Sequence, residues 1–96
     1  MKVSKEQIAA WKKKYGSVFR IRVEDKEAYL RPPTRRDISY ATTAGQSDPI
    51  AFNEMILKNC WLGGDEEIMN DDAYFLAASS QLDKLIEIKT ATLEKL

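Results

Sequence analysis

Ninety-six residues suit one domain around one modest core, because a chain of this size buries only about 65% of its unfolded surface on folding. An apolar fraction of 44% beside 31% charged residues excludes a disordered chain, and apolar runs as short as Tyr74 to Ala78 exclude a bilayer-spanning helix, which needs roughly 20 residues. Net charge is zero, yet residues 1–47 hold eleven Lys or Arg against five acids and residues 48–96 hold four against ten, so a basic half precedes an equally acidic one.

If the two halves also separate in space, the molecule is electrically dipolar and its complementary faces favour oriented encounter with a partner or another copy. If the fold interleaves them, the charges cancel locally. The first residues carry charge with no apolar stretch behind them, which sets the cytoplasm as the expected compartment.

In chain order, Ser4 and Gln7 have the spacing of a capping box, and Ile8, Trp11 and Tyr15 recur at helical spacing until Gly16 stops the helix. Apolar Phe19, Ile21 and Val23 alternate with Arg20 and Arg22, the pattern of a strand with one buried and one wet face. Glu24 to Glu27 reads as a turn, and Ala28 to Arg31 returns as a second strand that Pro32-Pro33 ends. Thr34, with Asp37 three residues on, caps a helix that Gly45 closes.

Asp48-Pro49 opens the next helix, since proline at the first helical position gives up only an amide that would be unpaired anyway. That helix is expected to run from Ile50 to Leu62, apolar on most sides, until Gly63-Gly64 breaks it. One helical turn follows over Asp65 to Met69. Asn70-Asp71-Asp72 then caps the last and longest helix, whose stripe Phe75, Ala78, Leu82, Leu85, Ile86, Leu93 and Leu96 reaches the final residue with only Lys89 interrupting. Leu76 and Ile88 add apolar surface off that line. The fold class expected is α+β: a mostly helical single domain over residues 1–96, with a two-stranded antiparallel hairpin near the N-terminus and a long C-terminal helix.

Histidine is absent, which removes the commonest general base and most transition-metal sites, and with them any Ser-His-Asp or Cys-His pairing. Gly63-Gly64 lacks both the Lys-Ser/Thr of a phosphate loop and the spacing of a dinucleotide fingerprint. Asp65, Glu66, Glu67, Asp71 and Asp72 invite Ca²⁺, but the alternating register of a calcium loop is missing, and acids at helix starts serve the helix dipole without a ligand. Cys60 lies among Met55, Ile56, Leu57, Trp61 and Leu62, where a free thiol packs as a small hydrophobe; the alternative, a reactive thiol, lacks a histidine to activate it. The expectation is a chain with no catalytic residue, cofactor or metal, acting by binding.

Two binding surfaces are candidates. Ile88, Leu93 and Leu96, beyond what one small core covers, would offer an apolar ridge to a partner or to another copy; alternatively these leucines fold back on the domain's own core or fray. Lys12, Lys13, Arg20, Arg22, Arg35 and Arg36, with Lys14, Arg31 and the aromatics Trp11 and Tyr15, would form a basic surface for phosphate contact and base stacking. That nucleic-acid-associated regulatory module is the alternative function, although a pI near 6.3 is low for it and the aromatics share a stripe with Ile8.

The order Leu30-Arg31-Pro32-Pro33-Thr34-Arg35-Arg36, then Asn59-Cys60-Trp61-Leu62-Gly63-Gly64-Asp65-Glu66-Glu67, then Asp71-Asp72-Ala73-Tyr74-Phe75-Leu76 resembles the small tail assembly chaperones of tailed phages and prophages, over most of residues 18–96. The resemblance implies a non-enzymatic protein of the bacterial host cytoplasm. It implies binding to other phage tail proteins, the aggregation-prone tape measure protein above all, often with self-association; by the residues themselves no membrane is expected and nucleic acid is the disfavoured partner. The family has no catalytic residues to carry over.

Overall fold

The computed structural model describes residues 3–86 and 90–96. Helix α1 spans Lys5–Tyr15: Ser4 Oγ accepts the Gln7 N–H at 3.1 Å to cap it, and Gly16, at a φ of 86° that a side chain would resist, ends it by donating its N–H to the Lys12 carbonyl. Lys12, Lys13 and Lys14 fill its last turn, where they complement the negative end of the helix dipole.

Strands β1 (Phe19–Val23) and β2 (Lys26–Leu30) pair antiparallel in the register Phe19 to Leu30, Ile21 to Ala28 and Val23 to Lys26. The loop between them is Glu24-Asp25, two residues shorter than the expected turn, so Lys26 and Glu27 belong to the strand. Glu24 turns the chain by adopting a φ of 55°. Helix α2 (Arg35–Ala44) and helix α3 (Pro49–Cys60) follow, the second capped by Asp48 with Pro49 at its start, and the two pack against each other as a helical hairpin. A Cβ on Gly45 would lie 3.0 Å from Phe52 Cβ, which measures how closely the hairpin closes there.

The α+β class and the N-terminal hairpin are present, and the sheet has a third strand. β3 (Trp61–Gly64) pairs antiparallel with β2, giving the order β1-β2-β3, with a bulge where Tyr29 faces Gly63 and Leu30 faces Trp61. Helix α3 therefore stops at Cys60, and Trp61-Leu62 are sheet rather than the end of a helix. The expected helical turn is α4 (Glu67–Asn70), and α5 (Asp72–Leu82) begins at Asp71, whose Oδ1 accepts the N–H groups of Ala73 and Tyr74.

The terminal helix is shorter than its apolar stripe suggested. It ends at Leu82 and tightens into a 3₁₀ turn over Asp83–Leu85; the twelve-residue α3 is the longest helix described. Phe75, Ala78, Leu82 and Leu85 are buried, whereas residues 90–96 are exposed and neither helical nor extended in a sheet. The stripe orders the chain only while there is a core to pack on, because a short segment's helix propensity alone does not offset nucleation.

Cross-strand partners share a face, so Phe19, Ile21, Ala28 and Leu30 turn one way and Arg20, Arg22, Glu27 and Tyr29 the other. The first face meets Ile56 and Leu57 of α3, Ile68 of α4, and Phe75 and Leu82 of α5 to form the core. Each fully buried Leu or Ile there contributes roughly 1.5–3 kcal/mol by leaving water. On the second face, Trp11 of α1 packs its ring against Tyr29, centroids 6.1 Å apart at 43°, and its edge against Gly63.

Candidate functional site

The most densely bonded polar group joins three elements. The Arg31 guanidinium, just past β2, donates to Asp37 Oδ2 at 2.7 Å and Oδ1 at 3.3 Å, to the Asn59 carbonyl of α3 at 2.7 Å and to the Pro32 carbonyl at 3.1 Å. Asp37, only 7% exposed, also accepts the Thr34 N–H at 2.8 Å and hydroxyl at 2.9 Å, while its own N–H donates to Thr34 Oγ1. The Arg31 guanidinium, reinforced by Thr34, holds the Asp37 carboxyl down at about 2 against the opposing effect of burial. Both oxygens of this carboxylate accept hydrogen bonds within the fold, so Arg31 belongs to the frame and not to a basic surface.

The other basic residues fall on separate elements. Lys12 and Lys13 are exposed on α1, and Arg20 is exposed on the sheet face that α1 partly covers. Arg22 is on that face too, but its Nη2 donates to Glu27 Oε1 at 2.9 Å. Glu27 also accepts the Tyr29 hydroxyl at 2.8 Å; that hydrogen bond, then Arg22, lowers its pKa. Arg35 and Arg36 are exposed in the first turn of α2, which packs on α3. The stacking half of a nucleic-acid surface is occupied internally: Trp11 lies on Tyr29, and Tyr15 is half-buried beneath Lys14 Nζ at 5.2 Å.

The acids around β3 and α4 have structural tasks. Asp65 accepts the Glu27 N–H at 2.9 Å and donates its own N–H to the Glu27 carbonyl at 2.8 Å, which fastens the end of β3 to β2. Glu67 pairs with Lys26 at 3.4 Å and Asp71 caps α5. Among the described residues no group of three or more His, Cys, Asp or Glu is arranged to hold a metal ion, and no helix is long and apolar enough to cross a membrane. Cys60 is wholly buried, and burial pushes its thiol up to about 11, so it packs as an inert apolar group.

The concave features described are open grooves rather than enclosed pockets, the largest about 390 Å³ between the hairpin turn and α5, lined by Val23, Glu24 and Tyr74 among others. That is near the lower end of small-molecule sites, roughly 300–1,000 Å³. The apolar surface is elsewhere. Leu93 and Leu96 are fully exposed and do not fold back on the core, while Ile88 lies outside the described residues. Leu76 on α5 is exposed, as its position off the buried stripe implied. Tyr40 on α2 and Ile50 at the start of α3 are exposed as well. These two the sequence reading missed, although Tyr40 sits off the Asp37-Ala41 face that α2 buries.

Comparison with models of known protein families, with curated proteins and with solved structures found no match.

Proposed function

We propose that this protein is a tail assembly chaperone, or a related assembly factor, of a tailed phage or prophage, acting in the host cytoplasm by binding other tail proteins and without catalytic chemistry. The tape measure protein is the proposed client, and self-association accompanies its capture. The reading is supported by the sequence resemblance and, above all, by Leu93 and Leu96: two leucines with no intramolecular cover, on a fold whose described buried polar side chains are all hydrogen-bonded. Covering apolar surface releases roughly 25 cal/mol per Å², so such a segment is stabilised by docking on another chain.

The scattering of the basic residues over α1, β1 and α2, and the internal use of Trp11, favour this reading over a nucleic-acid module. The test is to produce a phage tape measure protein with and without this chain. The expected result is that the tape measure protein stays in solution and co-elutes with the chain, and that Leu93→Asp with Leu96→Asp abolishes the effect. Unchanged recovery of the tape measure protein would reject the proposal. Tight binding to generic DNA or RNA with a steep salt slope would reject it in favour of the alternative.

A further inference from the structure

Glu54 and Lys58 are both exposed and four residues apart on α3, so they stand on one face of the helix as a ridge. An open groove runs along each side of it. One, of about 220 Å³, is completed by Met69 of α4 and by Asp72 and Phe75 of α5. The other, of about 240 Å³, is completed by Ala44 of α2 and by Ala51 and Met55 of α3. Each therefore has an apolar floor and shares the Glu54 and Lys58 rim. Both are smaller than the usual small-molecule site, but each has the size and chemistry for one aliphatic side chain, and methionine lets the floor adapt to it.

The segment Leu93-Glu94-Lys95-Leu96 carries the matching pattern, two fully exposed leucines with an acid and a base between them. In a polyproline II stretch three residues make one turn and rise roughly 9 Å, so Leu93 and Leu96 share a face with Glu94 and Lys95 to either side, and a helix with its side chains is roughly 10–12 Å across. A segment laid across α3 thus sets one leucine on each side of the ridge. In that crossing Glu94 faces Lys58, and Lys95 faces Glu54 or Asp72. The two leucines are not seated in their own chain's grooves. We propose that Leu93–Leu96 of one copy docks across the Glu54–Lys58 ridge of a second copy. The contact is heterologous, each copy offering a segment to one neighbour and a ridge to another, so it builds rings or open chains according to closure.

The inference rests on the adhesive role given to Leu93 and Leu96 above, and sedimentation equilibrium over a wide concentration range tests it. The unaltered protein is expected to associate as concentration rises, and Leu93→Asp with Leu96→Asp to weaken association by at least about tenfold. Glu54→Lys and Lys95→Glu are each expected to weaken it about threefold to tenfold. The two combined, which exchange the charges, should bring it back to within about twofold. Glu54 is exposed, and circular dichroism of Glu54→Lys checks that its fold is kept. A monomer at every concentration, including one whose segment folds onto its own ridge, would overturn the docking, as would association indifferent to Glu54→Lys or a double exchange that fails to restore it. If the leucine pair is required for tape measure capture while Glu54→Lys leaves self-association unchanged, the function stands and this docking site falls. If the charge exchange behaves as expected but no tape measure protein is captured, the docking stands and the function falls.

Discussion

Asp37 is legible in the sequence as the residue three beyond the cap Thr34, but its partner is not. Arg31 reads as one more base in a basic half, and only the meeting of the β2 end, the α2 start and the α3 end turns it into a clamp. The carboxyl's pKa is lowered in the fold, to about 2 from an ordinary 3.8. Its contribution to stability is therefore complete above about pH 4 and is lost as pH falls through about 2; the shift corresponds to about 2 kcal/mol. Asp37→Asn keeps the shape but leaves Arg31, mostly buried, without a countercharge. We expect it to lower stability by about 2–4 kcal/mol at neutral pH and to flatten the loss between pH 4 and pH 2. Urea unfolding of both proteins across that range checks this, and parallel pH profiles would count against the clamp.

At the scale of elements, Trp61 to Gly64 shows how a local signal misleads. Trp61 and Leu62 continue the apolar pattern of α3, so they read as helix until the glycines; what makes them a strand is the free edge of β2, more than thirty residues away in sequence. Gly64 is the residue that permits the pairing. Its φ is 125°, and a Cβ there would run into the Glu27 carbonyl and come within 2.9 Å of Ala28 Cα, both backbone. Gly64→Ala is expected to cost about 2–4 kcal/mol, since neither the dihedral nor the neighbouring strand can yield cheaply. A thermal midpoint unchanged by this substitution would mean that β3 does not hold the sheet as described. The hairpin, by contrast, is legible because its alternation is local; its turn is two residues shorter than expected, and β2 ends at Leu30, one residue before the expected Arg31.

Across the whole molecule the opposed charges of the two halves are partly separated. Lys12, Lys13, Lys14 and Arg20 lie on α1 and on the sheet face that α1 partly covers, while Glu54, Asp72 and their neighbours lie on the helices behind the other face. The two sets meet where Lys26 pairs with Glu67. The segment 90–96 makes no contribution to the buried core, so Leu93→Asp with Leu96→Asp is expected to leave the thermal midpoint within about 1 °C, a shift that corresponds to no more than a few tenths of a kcal/mol. A midpoint that collapses would assign both leucines to the intramolecular core.

Whatever depends on neighbours a few residues apart can be read from the chain directly. The helix starts at Ser4, Thr34, Asp48 and Asp71, the stops at Gly16 and Gly45, the face of β1 and the burial of Cys60 all follow from caps, dihedral freedom and periodicity. Contacts between distant segments set the rest: the third strand, the Arg31–Asp37 clamp, the place where the last described helix ends and the two grooves beside α3. A strand exists because another strand's amides face it, and an apolar stripe is helix only as far as something packs against it. Neither condition is written in the residues that obey it.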